Sequence, residues 1–121
     1  KLYGKTIYLD PIAAAKKMVQ ELKRKRCGLI ICLSHLGYKY ESDKISDQVI
    51  AQKVEGIDLI IGGHTHTFLD KPTVMQSPSG KNVLINQAGW AGINIGRIDY
   101  IFQKRSKNEI PKGSVLNVIK E

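Results

Sequence analysis

The chain has only three histidines, and they fall in two short clusters: His35 in Leu-Ser-His-Leu-Gly, and His64 and His66 in Gly-Gly-His-Thr-His. Neutral imidazole is a common ligand for divalent metals, so a cluster of such rings points first to a metal centre. On extended backbone an H-x-H pair turns both rings to one side, within reach of one ion or of two adjacent ones. Gly62 and Gly63, just ahead of the pair, leave room for close backbone approach. Any one histidine in a loop is ordinarily a hydrogen-bonded surface residue. The chemistry is suggested by all three occupying equivalent places in the chain.

Other catalytic arrangements find little support. Ser34 and His35 are sequence neighbours, whereas a nucleophile and its base are ordinarily brought together by folding. Neither Gly92 to Gly96 nor Ser79-Gly80-Lys81 matches the phosphate-binding pattern G-x-x-x-x-G-K-[ST]. No H-E-x-x-H or dinucleotide fingerprint occurs.

The elements that must position the histidines can be read from periodicity. Asp10-Pro11 is a helix start, a side-chain acceptor followed by a residue of preset φ, and Ile12, Ala15, Val19 and Leu22 continue at helical spacing. A helix is expected from 11 to about 26. Leu29 to Leu33 is apolar at every residue, as in a central strand covered on both faces. A second helix over about 46 to 55 follows, with Ser46 or Ser42 as cap and Gly56 as its stop. Ile57 to Ile61 reads as the next strand, so strand, helix and strand form one crossover unit with parallel, adjacent strands. Thr6 to Leu9 is a further candidate strand. Ligands of open α/β sheets bind beyond the carboxyl ends of the strands, which is where all three imidazoles should converge.

After Asp70 the pattern turns antiparallel. Thr73 to Gln76 and Val83 to Gln87 flank a Ser77-Pro78-Ser79-Gly80 turn and predict a hairpin. Ile93, Ile95, Ile98, Tyr100 and Phe102 nearly alternate, and Val115 to Ile119 suits a last edge strand.

At 121 residues, 42% apolar and 25% charged, the chain suits one small folded domain and argues against disorder or a disulfide scaffold. No apolar run approaches the roughly 18 residues of a membrane span. The net charge of +8 is densest at Lys23-Arg24-Lys25-Arg26, near a predicted helix end that favours cations, with no aromatic residue among them for base stacking. A solvated face is therefore expected and a nucleic-acid partner is not. A strand between Cys27 and Cys32 would hold them roughly 16 Å apart, beyond disulfide reach, so both are expected free.

Several blocks in order resemble a known family. Asp10-Pro11 opening a helix, I-I-C-L-S-H-L-G at 30 to 37, G-I-D-L-I-I-G-G-H-T-H-T at 56 to 67, Gln87-Ala88-Gly89 and Gly96-Arg97-Ile98-Asp99 are similar to the second half of the calcineurin-like metallophosphoesterases. Within that family the likeness is to the 5′-nucleotidase and 2′,3′-cyclic-nucleotide phosphodiesterase branch. It covers about residues 8 to 103. The resemblance implies an α/β fold, half of a layered sandwich of mixed sheets flanked by helices. It implies that His35 and His64 bind one metal ion and His66 the other, two divalent ions (Zn or Mn) acting on a phosphoester such as a 5′-nucleotide.

The family's first-half motifs, Asp-x-His, Gly-Asp and Gly-Asn-His-Glu/Asp, are absent. They supply the bridging aspartate, the other ligands and the catalytic histidine. No catalytic residue is therefore assigned to this chain, no substrate contact is assigned, and at most one metal is expected on it alone. The reading is of residues 1–121 as the C-terminal part of a catalytic domain, inactive alone and completed by an N-terminal half. Halving such a sandwich exposes apolar sheet, which also allows a homo-oligomer. Members of this branch are often exported, which implies a periplasmic or secreted protein. The alternative is a non-catalytic metal-binding or interaction module. Asn86, Gln87 and Trp90 are read as a polar turn with a packed Trp, Tyr38 and Tyr40 as loop cover, Asp58 as a structural partner and Asp47 as serving the helix start.

Overall fold

A computed structural model describes residues 4–102 and the backbone of 112–117. The first helix, α1 (Pro11–Arg24), begins where Asp10 Oδ1 accepts from the Ala13 amide at 2.7 Å, and it ends with Lys23 and Arg24 at its negative pole. Strand β1 (Ile31–Leu33) follows. Then comes α2 (Asp47–Lys53), capped by Ser46, whose Oγ accepts from the Val49 amide. Gly56, at φ 98°, turns the chain into β2 (Leu59–Ile61). The hairpin β3 (Thr73–Gln76) and β4 (Asn82–Asn86) comes next, and β5 (Asn94–Asp99) pairs with β6 (Lys112–Asn117) in a separate two-stranded sheet.

The main sheet has the order β1-β2-β4-β3, with β1, β2 and β4 parallel and β3 antiparallel to β4. In register, Cys32, Ile60 and Ile85 form one row and Leu33, Ile61 and Asn86 the next. Because side chains alternate, the first row faces the helices and the second faces away. Val19, Ile50, Ala51 and Val54 from the helices close over Ile30, Ile60, Val83 and Ile85 to make the core. The opposite face is covered at one side only. Leu59 and Leu84 are buried there, yet Ile31 is 46%, Ile61 43% and Leu33 80% exposed.

Three expectations need correction. Residues 29 to 33 do not form a central strand covered on both faces: β1 is the sheet's edge, and among the described residues nothing covers its outer side. Thr6 to Leu9 forms no strand, and Ile7, Tyr8 and Leu9 lie exposed, with no neighbouring strand among the described residues to accept them. Both helices stop about two residues early, α1 at Arg24 and α2 at Lys53. The last strand covers 112 to 117, and its expected end at Val118 and Ile119 lies outside the described residues. Cys27 and Cys32 are free, as expected.

Candidate metal centre

The parallel strands deliver the histidines to one margin of the sheet. Ser34 N donates to Ile61 O at 2.9 Å and Gly62 N to Asn86 O at 2.9 Å, so the chain leaves β1 and β2 side by side and still paired. His35 and His64 follow within two residues, and their ring centroids lie 5.2 Å apart at 73°. A ring bound through nitrogen to a tetrahedral ion has its centroid about 3.2 Å from the metal, so two rings on one ion stand about 5 Å apart. The pair fits that requirement, and both side chains are open to solvent.

His66 is placed differently. Its ring stacks on Trp90 at 5.8 Å and 12°. Neither His64 nor His66 sits on extended backbone, as the H-x-H reading assumed: both have positive φ, 79° and 52°. The backbone therefore passes through the left-handed region at both histidines. Among the described residues no three of His, Cys, Asp and Glu gather into a metal-holding group. The ring contacts are thus His35 with His64 and His66 with Trp90.

Beneath the rings lies a buried polar network that the sequence did not announce. Asp47, the first residue of α2, is completely buried. Ser34 Oγ donates to its Oδ1 at 2.5 Å and Gln87 Nε2 to its Oδ2 at 3.1 Å. Gln87 Nε2 also donates to Gly63 O at 3.0 Å, while Gln87 Oε1 accepts from Thr67 N at 3.2 Å and from Thr65 Oγ1 at 3.3 Å. Burial raises the Asp47 carboxyl above its ordinary range, although the hydrogen bonds from Ser34 and Gln87 and the nearby His35 pull the other way. Burial, and then the charge of Asp47, also push the Cys32 thiol up, which keeps it protonated and unreactive.

The two glycines have separate tasks here. A Cβ on Gly62 would collide with Asp47 Oδ2, and one on Gly63 would stand 3.0 Å from His35 Nδ1. Thr65 Oγ1 accepts from Tyr38 N at 3.0 Å, lacing the loop after β2 to the loop after β1. The tyrosines are tied down, Tyr38 Oη to Thr73 Oγ1 at 2.7 Å and Tyr40 Oη donating to Leu36 O at 2.8 Å. Asp58 is structural, accepting from Ile30 N and Lys81 Nζ, each at 2.8 Å. Asn86 is buried at the end of β4, its Oδ1 unpartnered among the described residues.

The family model of the calcineurin-like phosphoesterases matches residues 2–68, a span that includes both histidine loops. The chain belongs to that family. A trifunctional nucleotide phosphoesterase of Bacillus subtilis is 33% identical over 114 residues, covering 93% of this chain and 7% of that protein. The human 5′-nucleotidase is 31% identical over 112 residues, 82% of this chain and 18% of its own length. The crystal structure of a 5′-nucleotidase precursor from Thermus thermophilus superposes with a TM-score of 0.78 at 35% identity, over 90% of this chain and 23% of that one. These matches put the chain in the 5′-nucleotidase branch and its mixed α/β fold with that of the solved enzyme. It spans less than a quarter of each of these three relatives.

Proposed function

We propose that this phosphoesterase chain contributes one half of a two-metal centre that hydrolyses phosphoesters, 5′-nucleotides in particular. The observation that carries the reading is the His35–His64 ring pair at the carboxyl margin of three parallel strands. In that reading the pair grips one divalent ion, zinc or manganese, and His66, braced by Trp90, serves the other. Bound ions would supply activation of water and neutralisation of charge on the phosphoryl oxygens. The chain's own part is to hold its imidazoles fixed and accessible.

Two imidazoles without a carboxylate partner are a poor donor set for a pair of dications. The remaining ligands then come from an N-terminal half of the domain, which supports reading residues 1–121 as its C-terminal part. The apolar patch of Ile31, Leu33 and Ile61, next to a strand edge that is unpaired among the described residues, is a fitting seat for that half. The precursor status of the Thermus relative supports an exported protein. Among the described residues no helix is long and apolar enough to cross a membrane.

The test is complementation. The chain alone should release negligible phosphate from a 5′-nucleotide with Zn²⁺ or Mn²⁺. Adding a half that bears Asp-x-His, Gly-Asp and Gly-Asn-His-Glu should restore release, and His64→Ala should abolish it. Enzyme-like turnover by the chain alone would overturn the divided-site reading. Metal retention without activity in the completed domain would favour a non-catalytic binding module.

A further inference from the structure

Asp47 and Gln87 are buried side chains whose every polar atom is directed at one of the two histidine loops or at each other. Gln87 offers two donors and two acceptor positions, and all four are used: Asp47 Oδ2, Gly63 O, Thr67 N and Thr65 Oγ1. This set also fixes which way its amide faces. Asp47 holds the other loop twice, through Ser34 Oγ on its carboxylate and through its own backbone amide, which donates to Gly37 O at 2.8 Å. Ser34 Oγ passes the tie onward by accepting from Leu36 N at 3.2 Å, so hydrogen bonds close around His35 from both sides. Gly63 and Thr65 flank His64 in the same manner, and Thr65 and Thr67 flank His66.

We propose that the Asp47–Gln87 pair is a positioning device: it locks the loop of His35 to the loop of His64 and His66, and so sets the spacing of the rings. Neither residue touches an ion or a substrate in this proposal. It rests on the metal reading only for its consequence, since the spacing itself is a property of the metal-free chain. The buried amide–carboxylate bridge has no other task evident in the fold, because α2 is already capped by Ser46 and the strands are already paired. Groups that orient a ligating histidine ordinarily cost about 10- to 100-fold in metal affinity when removed.

The test uses the 121-residue chain with two variants and a control. Gln87→Met keeps the volume and removes all four hydrogen bonds. Asp47→Ala removes the carboxylate and serves as the second probe if the first variant folds poorly. Ser46→Ala weakens the α2 cap without touching the loops, and so shows what lost stability alone does. Ring-to-ring magnetisation transfer between His35 and His64 in metal-free protein is expected in the wild type and in Ser46→Ala, and should vanish in whichever of the two probes folds. Persistence of the ring contact in a folded probe, or its loss in Ser46→Ala as well, would overturn the proposal. Zinc titration then separates the two ideas. At least about 10-fold weaker binding in the probes is expected. A wild-type chain that keeps its ring contact yet binds no zinc would sink the metal reading and leave the positioning role standing.

Discussion

His64 and His66 both occupy the left-handed region, where a side-chain-bearing residue is disfavoured by about 1–2 kcal/mol relative to the ordinary helical basin. Strain of this kind persists where surrounding contacts over-determine the backbone, here the hydrogen bonds that Gln87 donates to Gly63 O and accepts from Thr65 Oγ1 and Thr67 N. The strain should therefore be separable from the imidazole. His64→Gly is expected to be more stable than His64→Ala by about 1 kcal/mol, since glycine alone enters this region freely. Urea unfolding of the two variants checks it, and equal stabilities would contradict it. The histidines themselves were legible in the sequence because a rare residue type recurred at the ends of apolar strands. The geometry of His64-Thr65-His66 was not, because no residue of that triplet favours positive φ strongly enough to announce it. Nor was the Asp47–Gln87 bridge, whose partners are 40 positions apart and carry no local pattern.

Among the elements, hydrophobic periodicity and caps located both helices, the two apolar strands and the hairpin. Only their ends and surroundings differed, as with β1, whose uniformly apolar residues promised two covered faces and met only one. A tie of a different sort fixes the segment after β5. Tyr100 Oη donates to Asp58 O at 3.3 Å, at the entrance to β2. Burial, and then the charge of Asp58, push the phenol from its ordinary 10.0 up to about 12. The folded value lies above the unfolded one, so the stabilising contribution is complete below about pH 10 and disappears as pH rises through about 12. An ultraviolet titration should contain a tyrosine component near pH 12 that is missing from Tyr100→Phe. Its survival in that variant would assign the late ionisation to another residue.

For the molecule as a whole, the instructive feature is the asymmetry of its main sheet. Among the described residues, one face is sealed by α1 and α2, while the other is sealed at β4 and bare at β1. The proposal of a complementary half came from the first-half motifs the sequence lacks, whereas the seat proposed for it required the strand order, which sets β1 at the edge among the described residues. Leu33, 80% exposed, should tolerate charge in the isolated chain, and Leu33→Glu is expected to change unfolding stability by no more than about 0.5 kcal/mol. The same substitution should block docking of the complementary half and with it any recovered phosphate release. A large loss of stability in the isolated chain, or full recovery of activity on complementation, would show that the patch is not the seat.

In the proposed centre His35 and His64 clasp one divalent ion together, and His66 does not share it. Zinc titration of the ¹⁵N-labelled chain, followed at the imidazole nitrogens, tests it most directly. The rings of His35 and His64 are expected to move in a single saturable step with one ion per chain, and His66 is expected not to move with them. Independent titration of His35 and His64, or a first ion taken by His64 with His66 while His35 stays unchanged, would contradict it.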